Sequence, residues 1–81
     1  LARELGSRSI TANVISPGPV DTDMFRALTD EQQSMITKAV PLGRTATTYE
    51  IASLAAFLAS DAAAYITGSI IPIDGGLGMG H

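Results

Sequence analysis

A chain of 81 residues with a net charge of −3, 46% hydrophobic and 16% charged, is one small globular piece at most, too apolar to stay disordered and too short for two domains. Its five basic residues, Arg3, Arg8, Arg26, Lys38 and Arg44, form no stripe, so nucleic acid is not expected as a partner. Without cysteine there is no disulfide framework or zinc–thiolate site, and the most apolar stretch, 51–65, is too short and too interrupted by Ser53, Ser60 and Asp61 to cross a membrane.

In chain order, LARELG (1–6) reads as the end of a helix. Leu1 and Leu5 stand at i and i+4, and Gly6 suits a left-handed stop. A chain that opens on Leu1 inside a helix end is expected to lack an upstream part. ITANVIS, from Ile10 to Ser16, reads as a short strand. Its adjacent Val14 and Ile15 imply burial on both faces, as in a parallel sheet. Pro17, Gly18 and Pro19 end that strand. DTDMFRAL (21–28) and DEQQSMITKAV (30–40) read as helices, the first capped by Thr22 or Asp23 and the second by Thr29 or Asp30.

Pro41 and Gly43 interrupt the pattern. Thr47 and Glu50 form a capping box in front of an apolar run, where Ile51, Leu54, Ala55 and Leu58 share one helix face. That helix is expected to stop near Ser60 and Asp61. SIIPID, from Ser69 to Asp74, reads as a second strand, which Pro72 places at an edge or a bulge because it lacks a donor. GGLGMGH closes the chain, and no internal repeat is visible.

Two strands separated by helices make one crossover of an α/β fold. A parallel pair cannot bury both its faces, so the sequence asks for upstream strands, further subunits, or both.

Ligands of open parallel sheets bind beyond the C-terminal ends of the strands. Here that place is Pro17 to Thr22. Gly18 permits close backbone approach or positive φ, and Pro17 and Pro19 stiffen the segment. Pro19 has no N–H, so Val20 carries the first free donor after Gly18. An N–H and a C=O on one residue suit a carboxamide. Thr22 adds a hydroxyl at a helix start, where free N–H groups also favour an anion such as a pyrophosphate. By spacing alone, an ordinary turn leaving a strand is the commoner reading.

The run S-P-G-P-V-D-T-D-M after T-A-N-V, followed later by L-A-S-D-A-A-A-Y-I-T-G-S-I-I-P-I-D-G-G, resembles the C-terminal part of the short-chain dehydrogenase/reductases. The resemblance covers the chain from Leu1 to His81. It implies that residues 1–81 are the C-terminal segment of a single NAD(P)-binding Rossmann domain, a doubly wound parallel sheet, with about two strands and three to four helices present. It implies a cofactor-binding set of Pro17 and Gly18, which shape the turn, Val20, whose main chain meets the nicotinamide carboxamide, and Thr22, which bonds the carboxamide or a phosphate.

The ending G-L-G-M-G-H most resembles the bacterial 3-oxoacyl-acyl carrier protein reductases of fatty-acid synthesis. This implies NADP (NAD being possible), an acyl carrier protein-linked substrate, a cytoplasmic homotetramer, and the upstream half of the same chain as a partner. Two positions depart from the family pattern: Thr48 stands where proline is usual and Ala46 where glycine is usual. Neither is expected to touch the cofactor turn. The family's glycine-rich loop, active-site Asn and Ser, and Tyr-x-x-x-Lys pair have no counterpart here. Tyr49 and Tyr65 are followed at the fourth position by Ser53 and Ser69, so no catalytic residue is assigned and the segment alone is expected to be inactive. The rivals are a short-chain dehydrogenase for another alcohol or ketone, and a non-catalytic assembly or binding fragment.

Met24, Phe25, Leu28, Met35 and Ile36 read equally as a substrate lid or as an ordinary helix pair packed on the sheet. The Gly76–Gly80 run is not a dinucleotide fingerprint, because position 81 is His81 rather than glycine. A lone His81 reads as solvated and no metal site is expected. Asp74 reads as a local turn residue, and Arg44 as the partner of an unnamed carboxylate.

Overall fold

The computed structural model describes residues 1–79, so the expectation for His81 lies outside the described residues. Two strands, β1 (Val14–Pro17) and β2 (Ile70–Ile73), pair in parallel with Val14 opposite Ile70 and Pro17 opposite Ile73. Four α-helices accompany them: α1 (Ala2–Gly6), α2 (Asp23–Arg26), α3 (Asp30–Ala39) and α4 (Thr48–Leu58), with a 3-10 turn at Asp61–Ala63. This is the expected partial α/β crossover.

β1 starts four residues later than the expected Ile10–Ser16 strand and runs one residue further. The reason is Asn13, whose side chain replaces ladder bonds. It donates to the Ile66 carbonyl at 3.1 Å and accepts from the Ser69 N–H at 3.1 Å. Ala12 N–H likewise donates to the Thr67 hydroxyl at 3.0 Å. Gly6 is not the left-handed stop either. It remains in α1, and the left-handed residue is Ser9, with φ of 59°. The reversal there closes with the Ile10 N–H donating to the Leu5 carbonyl at 3.0 Å.

The helix starts follow their side chains. Thr22 caps α2 by accepting from the Phe25 N–H, and Thr29 caps α3 in a reciprocal box with Gln32. α2 is shorter than the expected 21–28 helix. The Arg26 guanidinium turns back to Asp21 and Asp23 at 2.8 and 2.7 Å, and the Gln33 amide ties down the Leu28 carbonyl at 3.0 Å. Thr47 and Glu50 form the expected box at the start of α4.

Pro72 lies at an edge, not a bulge. The carbonyls of Ser69 and Ile73 accept from the Val14 and Gly18 N–H groups. Alternation along β2 therefore turns residue 72 away from β1, where its missing donor is not needed.

Among the described residues only Val40 and Ala63 are buried side chains, at 3% and 1% exposure. The Cα radius of gyration is 15.5 Å, against about 12 Å for a compact domain of this length. The accessible surface is 6048 Å², against about 4,600 Å² for a compact protein of this mass. Val14 and Ile70, neighbours in the register, remain exposed on the sheet. The strand pair thus leaves one face bare and half-covers the other at Ile15, Ile71 and Ile73, so neither face is fully buried. The isolated 81-residue chain is expected to melt without a cooperative transition, followed by circular dichroism and calorimetry. A sharp two-state transition in a monomer would contradict this reading.

Candidate cofactor-orienting turn and adjoining cleft

The turn after β1 is set by one close approach. The Gly18 N–H donates to the Ile73 carbonyl at 3.1 Å. A Cβ on Gly18 would fall 2.8 Å from both Cα and Cβ of Asp74. Gly18 has no positive φ, so of the two reasons for glycine here it is proximity that applies.

Past Pro19 the backbone pairs with a segment 26 residues ahead in an isolated parallel bridge between Val20 and Ala46. The Ala46 N–H donates to the Pro19 carbonyl at 2.9 Å, and the Asp21 N–H donates to the Ala46 carbonyl at 2.8 Å. Ala46 therefore does touch this turn, contrary to expectation. In such a bridge the middle residue turns its own groups to the other side. The Val20 N–H and C=O accordingly have no hydrogen-bond partner among the described residues. A donor and an acceptor on one residue, held by a fixed backbone, match a carboxamide.

Thr22 stands two residues on. Its hydroxyl oxygen accepts from the Phe25 N–H at 3.3 Å, which leaves its own proton free to donate. α2 has four residues, too few for a strong helix dipole, so Thr22 fits a neutral acceptor better than a pyrophosphate. Pro17 closes β1, opposite Ile73.

Arg44 finds its carboxylate in Glu50, with two parallel bonds of 2.8 and 2.9 Å. Glu50 also accepts from the Thr47 N–H at 2.8 Å. The guanidinium, followed by that backbone donor, pulls the Glu50 carboxyl down to about 2. The pair brackets Ala46 in sequence and holds the strand segment against which Val20 rests.

Beside the turn opens a cleft of about 530 Å³. Val20 and Thr22 line one side of it. Met24, Phe25, Leu28 and Ile36 supply the apolar wall, joined by Leu77 from the C-terminal tail. Four of the five expected lid residues therefore share one cavity. Met35 does not line it and is 73% exposed. The volume is within the range of small-molecule sites, about 300–1,000 Å³.

Asp74 acts locally, as expected. Its carboxylate accepts from the N–H groups of Gly76 and Gly78 at 3.0 and 3.1 Å. These donors are thereby taken, which removes a phosphate-cradling role from Gly76 and Gly78. Among the described residues no cluster of His, Cys, Asp or Glu could hold a metal, and no helix is long and apolar enough to cross a membrane. Sequence reasoning missed Ala46 and Leu77. Only the spacing of Ala46 two residues after Arg44 hinted at the former, and nothing local marked the latter.

Comparison with known proteins agrees with this architecture. Residues 1–78 match the family model described as enoyl-(acyl carrier protein) reductase. The chain is 49% identical over 81 residues to the 3-oxoacyl-(acyl-carrier-protein) reductase MabA of Mycobacterium bovis, covering 100% of this chain and 33% of that protein. It is 54% identical over 79 residues to the 3-oxoacyl-(acyl-carrier-protein) reductase FabG of Escherichia coli and 51% identical over 79 residues to that of Pseudomonas aeruginosa. Each match covers 98% of this chain and 32% of the relative. The chain thus spans about a third of the length of these relatives.

In the complete polypeptide, Gly18→Ala is expected to cost about 1–3 kcal/mol by overpacking against Asp74, read from urea unfolding midpoints. An unchanged midpoint would refute the close-approach argument. Glu50 contributes stability that is complete above its ordinary value of 4.5 and lost as pH falls toward about 2. Glu50→Gln should therefore match the parent near the acid end and fall below it progressively up to about pH 4.5, then stay parallel. Unfolding midpoints against pH check this, and a gap that opens only above neutrality would rule it out.

Proposed function

This chain belongs to the short-chain dehydrogenase/reductase family, in the branch whose model is described as enoyl-(acyl carrier protein) reductase, and we propose that it is the nicotinamide-orienting and substrate-lid portion of an NADPH-dependent 3-oxoacyl-thioester reductase. The observation that carries this is the unpaired N–H and C=O of Val20 on a residue that also lines an apolar cleft. The relatives' names supply the substrate class, a 3-oxoacyl group carried by acyl carrier protein.

In this reading the Val20 N–H donates to the carboxamide oxygen and the Val20 carbonyl accepts from the carboxamide nitrogen. Thr22 donates its free proton to the carboxamide in preference to a phosphate oxygen. Pro17 and Gly18 set the turn by the strand end and the Asp74 contact. The cofactor, when bound, supplies the hydride that reduces the 3-oxo carbon. Fixing the carboxamide fixes which ring face is presented to the substrate, and the apolar wall keeps water from the reacting carbon. The proton donor belongs outside residues 1–81: Tyr49 and Tyr65 are exposed and lack a lysine four residues on. NADP in preference to NAD, a homotetramer and a cytoplasmic location complete the proposal.

The family model's description favours one second reading, reduction of a carbon–carbon double bond next to the thioester. The complete polypeptide, given NADPH with a 3-oxoacyl thioester or with a 2-enoyl thioester, separates the two. Oxidation of NADPH by the first substrate alone supports the proposal, and oxidation by the second alone replaces it. Val20→Pro removes the donor and should raise KM for NADPH about tenfold, the worth of one hydrogen bond in a desolvated site. An unchanged KM would remove Val20 from the cofactor site.

A further inference from the structure

The tail that follows β2 is fixed in place, and fixed where it meets the cleft. The Asp74 carboxylate holds the N–H groups on both sides of Leu77, those of Gly76 and Gly78. The Leu77 N–H donates to the Asp74 carbonyl at 3.2 Å. Gly75 and Gly76 take φ of 63° and 95°, conformations that only glycine adopts freely. At Gly75 an added Cβ would fall 2.7 Å from a Val40 methyl, and at Gly76 it would fall 3.0 Å from the Pro41 ring. The Leu42 N–H donates to the Gly75 carbonyl at 3.1 Å. The tail is therefore clamped between its own aspartate and the 40–42 segment, and Leu77 projects from it into the cleft wall.

The remaining wall residues come from the turn, from α2 and α3, and from Leu28 between those helices. Leu77 alone arrives from the end of the chain, and it is 45% exposed, so its cleft side has room to be filled or emptied. The polar groups of this cleft sit at the Val20 and Thr22 end. An occupant must be polar at that end and aliphatic beyond it.

We propose that Leu77 is a specificity-determining residue that sets the preferred acyl-chain length, with Asp74 as the positioning residue that holds it. This rests on the 3-oxoacyl reading of the same cleft. A clamped wall discriminates by length because it cannot move aside, whereas a loose one would accept any chain.

The test uses the complete reductase that contains this chain. Its probes are N-acetylcysteamine thioesters of a four-carbon and a twelve-carbon 3-oxo acid, with NADPH. The quantity read is the ratio of kcat/KM for the long chain to that for the short chain. Leu77→Trp should lower the ratio about tenfold, and Leu77→Ala should raise it about tenfold, the order of effect of adding or removing a methylene in an apolar pocket. Asp74→Ala should shift the ratio in the same direction as Leu77→Ala with Leu77 still present. A ratio that stays constant in both Leu77 variants overturns the proposal, as does a parallel fall on both substrates, which would make Leu77 a purely structural residue. A parent enzyme that reduces neither thioester overturns the 3-oxoacyl reading itself and this proposal with it.

Discussion

The meeting of the two strand ends is the constraint on which the rest depends. Gly18 leaves β1 against the backbone of Asp74 as it leaves β2, at a separation no side chain on Gly18 would tolerate. That contact sets where the Pro19–Thr22 turn begins and where the tail begins. The turn carries the Val20 donor–acceptor pair and the tail carries Leu77, so both ends of the cleft are measured from one point. An error in the contact would displace the two together, which is why a glycine is needed there and not merely tolerated.

The second layer of the candidate site is electrostatic and acts through the backbone it holds. Arg44 and Glu50 form a bidentate pair in front of α4, and the same carboxylate closes the capping box with Thr47. Exposed pairs of this kind add little to stability singly. Their value here is geometric. The backbone between them includes Ala46, and Ala46 occupies the Pro19 carbonyl and the Asp21 N–H. By consuming those neighbours it leaves Val20 as the unpaired residue of the turn.

Much of this was legible from the sequence where the signal is local. Thr47 and Glu50, three residues apart, announce a helix start because the box is satisfied within one turn. Adjacent Val14 and Ile15 announce a parallel strand because both faces are apolar. Pro72 announces an edge or a bulge because it has nothing to donate. The unread parts are those decided by distant residues. Asn13 shortens β1 through bonds to Ile66 and Ser69, more than 50 residues away. Ala46 and Leu77 gain their roles only when the chain brings them to the turn, and an alanine or a leucine has no chemistry of its own to advertise this. Gly6 is the cheapest position for a left-handed residue, but the chain accepts that conformation at Ser9 because the helix continues through the glycine.

The proline in β2 reaches beyond the native sheet. A strand pair this bare of covering side chains, met during synthesis or after partial unfolding, is the kind of surface from which fibrils nucleate. Stacking into a fibril needs a template on both sides of every chain. Here the outward edge of β2 lacks a donor at Pro72, so a chain that joined there would forgo one ladder bond. Growth along that side is weakened by the same proline that the native fold places at its edge.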